Sequence, residues 1–363
     1  MIKLKLLLLS ILSGILLAMP FLNIIPPFSL FIAFIPILWV EEFLTNENKT
    51  KLSFAILFYG YLAFLVWNGL STWWVYNATK VFTIIGISIF SFLYCLLFYI
   101  FWKIKTILGK KTAYIGLIFI WTGLEYFFLN AEISWPWLSL GNGFSFYSKW
   151  VQWYEFTGVL GGTFWVITIN ILLYKALRVF FQKAYFKSAQ YISLALLSFI
   201  FPLLFSFVLY NQYTEHGKTK NFVVIQPNID PYNEKFSSMP VQDQIKKMIN
   251  LAKNSADSTT DFIVFPETAI PSTIWEENLN QTLEIIELRK LLQSFPKAKI
   301  IIGATTARVI QRHEPIPASA RKFVDANMYY NRFNTALLID TSIQIRTYHK
   351  SKLVVGVEKM PYP

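Results

Sequence analysis

Long apolar runs follow one another from Leu6 to Tyr210, and none of comparable length occurs after Tyr210. A helix needs roughly 20 apolar residues to cross a bilayer, so this distribution constrains the chain more than any other feature. The chain is 55% hydrophobic and only 15% charged, too apolar for an ordinary soluble domain. Aromatics make up 18% of it, with 12 Trp, a composition suited to membrane spans and interfacial belts. The first run, LLLLSILSGILLA after Lys3 and Lys5, has the layout of a signal peptide, but no A-x-A-like site follows; it reads as a retained span. The second, Phe28 to Val40, is short and is broken by Pro26, Pro27 and Pro36, which predicts a kinked or partly re-entrant segment. Further runs lie near 53–75, 82–102, 113–129, 156–177 and 191–210. The expectation is a polytopic α-helical membrane domain of about seven spans over 1–212, then a globular domain over 213–363.

Lysine and arginine placement orients these spans. Lys3, Lys5, Lys49, Lys51, Lys103, Lys105, Lys110, Lys111, Lys175, Arg178, Lys183 and Lys187 fall in alternate loops, whereas the opposite loops hold only Lys80 and Lys149. This predicts a cytoplasmic N-terminus and puts everything beyond Tyr210 outside the cytoplasm. The formal charge of +12 is accounted for by these loops, and the globular half has no basic stripe with interleaved aromatics, so nucleic acid is not an expected partner. The one cysteine, Cys95, sits inside an apolar run and reads as a packing residue, with no disulfide framework possible.

Two features of the membrane half stand out. The outer loop Glu132 to Tyr154 carries Trp135, Trp137, Tyr147, Trp150 and Trp153, which reads either as an aromatic belt at headgroup level or as a lipid-facing platform. Glu125, within IFIWTGLEYFFL, is a functional candidate because carboxylates are costly in a bilayer, or else a hydrogen-bonding group inside the bundle.

In the globular half, strand patterns at Asn221–Gln226, Asp261–Phe265, Lys299–Gly303, Asn334–Asp340 and Ile343–Tyr348 alternate with helical periods at Val241–Ala252 and Leu283–Leu292. Strands and helices in this order predict an α/β sandwich. No phosphate loop, zinc spacing or G-x-S-x-G elbow occurs, so nucleotide, metal and serine-hydrolase chemistries lack support. Within DFIVFPETAIP, Pro266 ends a buried strand and presents Glu267 at its C-terminal edge, where open α/β folds place reactive groups. Phe265, Pro266, Ile270 and Pro271 surround that carboxylate, and apolar surroundings are expected to raise its pKa towards general-base range. A second charged cluster, Tyr348-His349-Lys350-Ser351-Lys352, follows on a later strand.

VFPE at 264–267 and YHKSKLV at 348–354, with Glu358 shortly after, resemble the nitrilase (carbon–nitrogen hydrolase) superfamily, and the order Gln226, Glu267, Lys350 matches that superfamily's opening strand, Glu and Lys. With the membrane half, the chain resembles the apolipoprotein N-acyltransferase family of bacteria: W-x-x-x-E at Trp121–Glu125, P-W-L-x-L-G at Pro136–Gly141, and Gly60 followed by Trp73-Trp74-Val75-Tyr76. The resemblance implies a nitrilase-like αββα sandwich, here incomplete, on the periplasmic side of a multi-pass protein of the bacterial inner membrane. It implies acyl transfer from a phospholipid donor to the amine of a diacylglyceryl apolipoprotein acceptor through a thioester, with no cofactor or metal. Glu267 would be the general base, Lys350 the oxyanion stabiliser, and Glu358 a neighbouring carboxylate orienting Lys350 or the amine.

Two departures accompany the resemblance. The family's nucleophile is a cysteine downstream of the lysine motif, followed by Tyr-Glu, and the sequence stops at Pro363 before it. The expectation is an incomplete chain, lacking that cysteine and a final span, with Cys95 unable to substitute. Lys235-Phe236 also stands where a lysine-tryptophan pair is expected. The alternatives are a membrane-tethered amidase using the same Glu267 and Lys350, and a non-catalytic membrane binding protein.

Overall fold

The computed structural model describes residues 2–47, 52–317, 319–354 and 358. The chain divides into two compact units, Met1–Thr214 and Glu215–Pro363.

The first unit is helical throughout: α1 (Ile2–Ala18), α2 (Ile35–Asn46), α3 (Leu52–Thr72), α4 (Lys80–Leu108), α5 (Lys110–Asn130), α6 (Tyr154–Phe181) and α7 (Tyr185–Gln212). Among the described residues, six helical segments are long and apolar enough to cross a membrane, beginning with Pro27–Asn46. The run before them, α1, has 17 residues, about 25 Å of helix against a hydrocarbon core of about 30 Å.

The proline-rich second run forms a 3-10 turn, Pro27–Phe31, and then α2, with Pro36 in its first turn where a missing N–H costs nothing. A broken helix in lipid leaves backbone groups without partners, and these must be satisfied by the protein itself. Asn170 on α6 does this, donating from Nδ2 to the Leu30 carbonyl at 2.7 Å and accepting the Phe34 N–H at 2.9 Å. Gly14 lets α1 lie directly against α3, since a Cβ there would stand 2.4 Å from the Ala63 carbonyl oxygen. Cys95 is buried on α4 with its thiol against the Leu57 carbonyl at 3.2 Å, as a packing residue would be.

Charges that read as free loop lysines are partly internal. Glu41 on α2 is buried and paired with Lys105 of α4. Its neighbour Glu42 accepts from Arg178 of α6 at 2.7 Å, from Lys110 at 3.3 Å and from the Tyr174 hydroxyl. Removing either partner of the buried Glu41–Lys105 pair leaves an uncompensated charge, a loss of about 3–5 kcal/mol.

The outer loop is divided between the bundle and its surroundings. Trp135, Leu138, Leu140, Phe144 and Trp153 are buried, whereas Trp137 and Phe146 are exposed. Trp135 stacks on Phe90 at 4.6 Å and donates to Asn68 Oδ1 at 3.3 Å. Glu125 is the joint that holds this loop. Fully buried, it accepts from Trp121 Nε1 at 3.0 Å and from the Leu140 N–H at 3.0 Å on one oxygen, and from the Thr163 hydroxyl at 2.5 Å on the other. Gly141 follows because a Cβ would fall 2.0 Å from the Val159 carbonyl oxygen, and its own carbonyl accepts the Tyr154 hydroxyl at 3.0 Å. The W-x-x-x-E and P-W-L-x-L-G motifs are therefore two sides of one contact, and Glu125 serves as a hydrogen-bonding group inside the bundle.

The second unit is a mixed sheet with two helices: β1 (Phe222–Val224), α8 (Val241–Ser255), β2 (Phe262–Val264), β3 (Ile270–Trp275), α9 (Leu283–Ser294), β4 (Lys299–Ile310), β5 (Arg321–Lys322), β6 (Tyr329–Ile339) and β7 (Arg346–His349). The strand order is β1-β2-β4-β6-β5, with β3 also on β4 and β7 also on β6. β1, β2 and β4 are parallel and β4, β6 and β7 antiparallel, so α8 and α9 serve as the crossovers of the parallel part. The apolar sides of both helices (Ile245, Met248, Ile249, Ala252; Ile285, Leu288, Leu291, Leu292) share one core with Ile263, Ile300, Ile302 and Leu337 of the sheet. This mixed sheet fits a nitrilase-like domain. β3 and β5 carry no clear alternation in the sequence and emerge only through pairing with β4 and β6.

Candidate active site

β2 ends where Pro266 withdraws its donor, and the chain then turns sharply over β4. Thr268 takes a left-handed φ of +51°, an uncommon conformation for a threonine. The turn lies so close to β4 that the Pro266 carbonyl accepts the Gly303 N–H at 3.2 Å. A Cβ on Gly303 would stand 2.6 Å from the Glu267 Cα. Only glycine leaves room there.

On the other side, β6 and β7 bring Asn334 and Lys350 alongside each other, and the Lys350 N–H donates to the Asn334 carbonyl at 2.8 Å. The three residues singled out in the sequence meet at this point. Lys350 Nζ lies 3.0 Å from Glu267 Oε1 and 3.1 Å from Glu358. Asn334 Nδ2 donates to both carboxylates, at 2.5 Å to Glu267 and 2.7 Å to Glu358. The Val354 N–H closes on Glu358 Oε2 at 2.6 Å. One ammonium and one amide thus hold two carboxylates that would otherwise repel each other. The cluster is open: the Glu267 side chain is 63% exposed, against 32% for Lys350 and 20% for Glu358.

That openness corrects the electrostatic expectation for Glu267. Its pKa is lowered from the ordinary carboxylate value, chiefly by the hydrogen bond from Lys350 and then by that from Asn334, with burial too slight to reverse them. The apolar residues beside it flank the backbone without sealing the carboxylate. For Glu358, burial works upward, but the Val354 N–H, Asn334 and Lys350 together bring it below the ordinary value. For Lys350, burial works downward and is outweighed by the hydrogen bonds to Glu267 and Glu358, so its pKa is raised. A carboxylate and an ammonium in this state can take a proton from a nucleophile and meet a developing oxyanion.

Lys235 adds a further contact, donating from Nζ to the Glu267 carbonyl at 3.1 Å. Burial lowers its pKa, and the charge on Glu267 partly offsets this. Behind that backbone lies a cavity of about 100 Å³ lined by Gln226, Asn228, Lys235, Gln244 and Pro266 among others. The sequence reading missed Asn334 as a site residue. Asparagine is depleted in strands, so its place at the head of an apolar strand pattern was the available signal.

Comparison with known proteins agrees with this architecture. A family model described as the apolipoprotein N-acyltransferase N-terminal domain matches residues 13–172. A curated apolipoprotein N-acyltransferase of Chlorobaculum tepidum is 28% identical over 316 residues, covering 83% of this chain and 56% of that relative. The chain therefore spans little more than half of the relative's length. The match to the N-terminal domain covers the Glu125 joint and the helices around it. Through that domain, and through similarity over most of its length, the chain resembles the apolipoprotein N-acyltransferase family.

Proposed function

We propose that the protein transfers an acyl chain from a phospholipid to the α-amine of a diacylglyceryl-cysteine apolipoprotein through a thioester. The observation that carries this reading is the Lys350 ammonium, held between the Glu267 and Glu358 carboxylates and backed by Asn334. A thiolate attacks the phospholipid ester carbonyl, Glu267 takes the thiol proton, and Lys350 faces the oxyanion. The carbon–oxygen bond breaks, and the proton leaves with the alcohol as lysophospholipid. The lipoprotein amine then attacks the thioester, Glu267 takes a proton from the nitrogen, and the carbon–sulfur bond breaks to return the thiol. The nucleophile implied by the resemblance is a cysteine after the lysine motif.

The lowered pKa of Glu267 suits this sequence of events. At rest Lys350 and Asn334 stabilise its ionised form. As the ammonium turns to the oxyanion, the carboxylate loses its strongest partner and becomes more basic when a proton must be taken. In the full natural protein supplied with labelled phospholipid, Glu267→Gln should slow acyl-enzyme formation by roughly 10²-fold or more, because the amide cannot accept the proton. Unchanged single-turnover kinetics would remove Glu267 from the mechanism.

The site is proposed to face the periplasm, on the strength of the Lys/Arg asymmetry of the loops. A reporter that folds only outside the cytoplasm, fused after Tyr210, should be active; activity of a cytoplasm-only reporter at that position would reverse the orientation.

A further inference from the structure

We propose that His349 is a positioning residue for Lys350, acting through Glu276 on the opposite face of the sheet; the inference rests on the acyl-transfer reading of the Glu267–Lys350–Glu358 cluster. Lys350 stands one residue past the end of β7, a strand of only four residues whose Arg346, Thr347 and Tyr348 are exposed. Packing of those side chains does not hold it. His349 does have partners. Its ring stacks flat on Phe333 of β6, with centroids 3.8 Å apart and planes 4° from parallel, and its Nε2 lies 2.7 Å from Glu276 Oε1. An ionised carboxylate only accepts, so Nε2 is the protonated nitrogen.

The same Glu276 oxygen accepts the Thr306 hydroxyl of β4 at 2.7 Å. Thr306 in turn lies 2.7 Å from the Thr335 hydroxyl of β6. Because Thr306 donates to Glu276, Thr335 donates to Thr306, and the chain of hydrogen bonds runs in one consistent direction. Both threonines are buried. Thr335 is also the register partner of His349, so β4, β6 and β7 are tied together on one face. Successive side chains of a strand point to opposite faces. The residues next to Thr335 and His349 are Asn334 and Lys350, whose side chains donate to both carboxylates. A roll of β7 about its axis would swing the Lys350 ammonium off both carboxylates, and the His349–Glu276 bond opposes that roll.

The test uses the full natural protein in phospholipid micelles, with His349→Ala, Glu276→Gln and His349→Gln. His349→Ala should lower the single-turnover acylation rate by roughly 10–100-fold, the size of effect expected from a small misplacement of a reacting group. The phospholipid concentration giving half the maximal rate should not move. Hydrogen exchange at the Lys350 amide, which donates to Asn334, should quicken alongside. Glu276→Gln keeps the shape but weakens the bond and should lie between the two. His349→Gln, whose amide can donate from near the Nε2 position, should recover most of the rate. An unmutated protein that transfers acyl chains, with His349→Ala matching it in both rate and exchange, would overturn the proposal. An unmutated protein that transfers none would instead overturn the acyl-transfer reading. The exchange measurement alone would then decide whether His349 fixes Lys350.

Discussion

Lys350→Met is expected to lower acyl-enzyme formation by about 10³-fold, the upper end of what one oxyanion donor contributes, because in the proposed cycle the ammonium serves both stages. At rest it is the largest influence holding Glu267 ionised, and it also holds Glu358. Methionine fills similar space without charge, so the two carboxylates would share Asn334, with the Val354 N–H left to Glu358, and each would raise the pKa of the other. Stability should respond with a definite sign. The folded pKa values of Glu267 and Glu358 lie below the ordinary 4.5, so their contribution is present above that value and lost as pH falls through the folded values. Lys350 has the opposite sign: its contribution is present below the ordinary 10.5 and lost as pH rises through its raised folded value. The difference in thermal midpoint between the unmutated protein and Lys350→Met should therefore be widest between these ranges and close at both acid and alkaline ends. Equal turnover with equal midpoints at pH 7 would show that Lys350 is only a surface charge.

Gly303→Ala should be the most disruptive small substitution in the second unit. Its Cβ would lie 2.4 Å from the Thr268 amide nitrogen, 2.6 Å from the Glu267 Cα and 2.8 Å from the Pro266 carbonyl oxygen. All three are backbone atoms, so no rotamer change relieves the clash, and the turn that presents Glu267 must lift off β4. Overpacking of this kind costs about 1–3 kcal/mol, and the value here should fall near the top of that range. Acyl-enzyme formation should fall with it, since the carboxylate moves relative to Lys350. Thermal unfolding and single-turnover acylation of the intact protein check both effects. Normal stability with normal turnover would mean that the turn yields to a methyl group without strain.

The contrast between Gly303 and Asn334 shows where the sequence was informative. KIIIG announces a buried strand, and VFPE a strand stopped by proline, because apolar runs and proline act locally. Nothing in either stretch says that the two touch, so the reason for Gly303 appears only when β4 and the Glu267 turn are superposed. The motifs single out Glu267, Lys350 and Glu358, which the fold brings together, but they do not give the direction of the Glu267 pKa. It depends on the Lys350 ammonium, 83 residues away in sequence, whereas the sequence displays only the apolar neighbours on either side. The membrane runs were legible by length, yet Glu125 remained undecided until Leu140 and Thr163 were seen to donate to it. Loops that fold back into a bundle have no periodicity to reveal them.

The ion pairs at Glu41 and Glu42 bear on how the bundle is assembled. Lys105, Lys110 and Arg178 lie at or near the ends of α4, α5 and α6, and in the bundle they converge on the C-terminal half of α2. A helix entering a bilayer singly presents such a residue as bare positive charge, which is what holds its end on one side. Packing against the two adjacent carboxylates of α2 neutralises that charge and, for Lys105, encloses it. On the positive-inside rule these side chains would set direction before assembly; in the bundle they pair with Glu41 and Glu42, and a helix inserted the wrong way round would leave those carboxylates short of a partner.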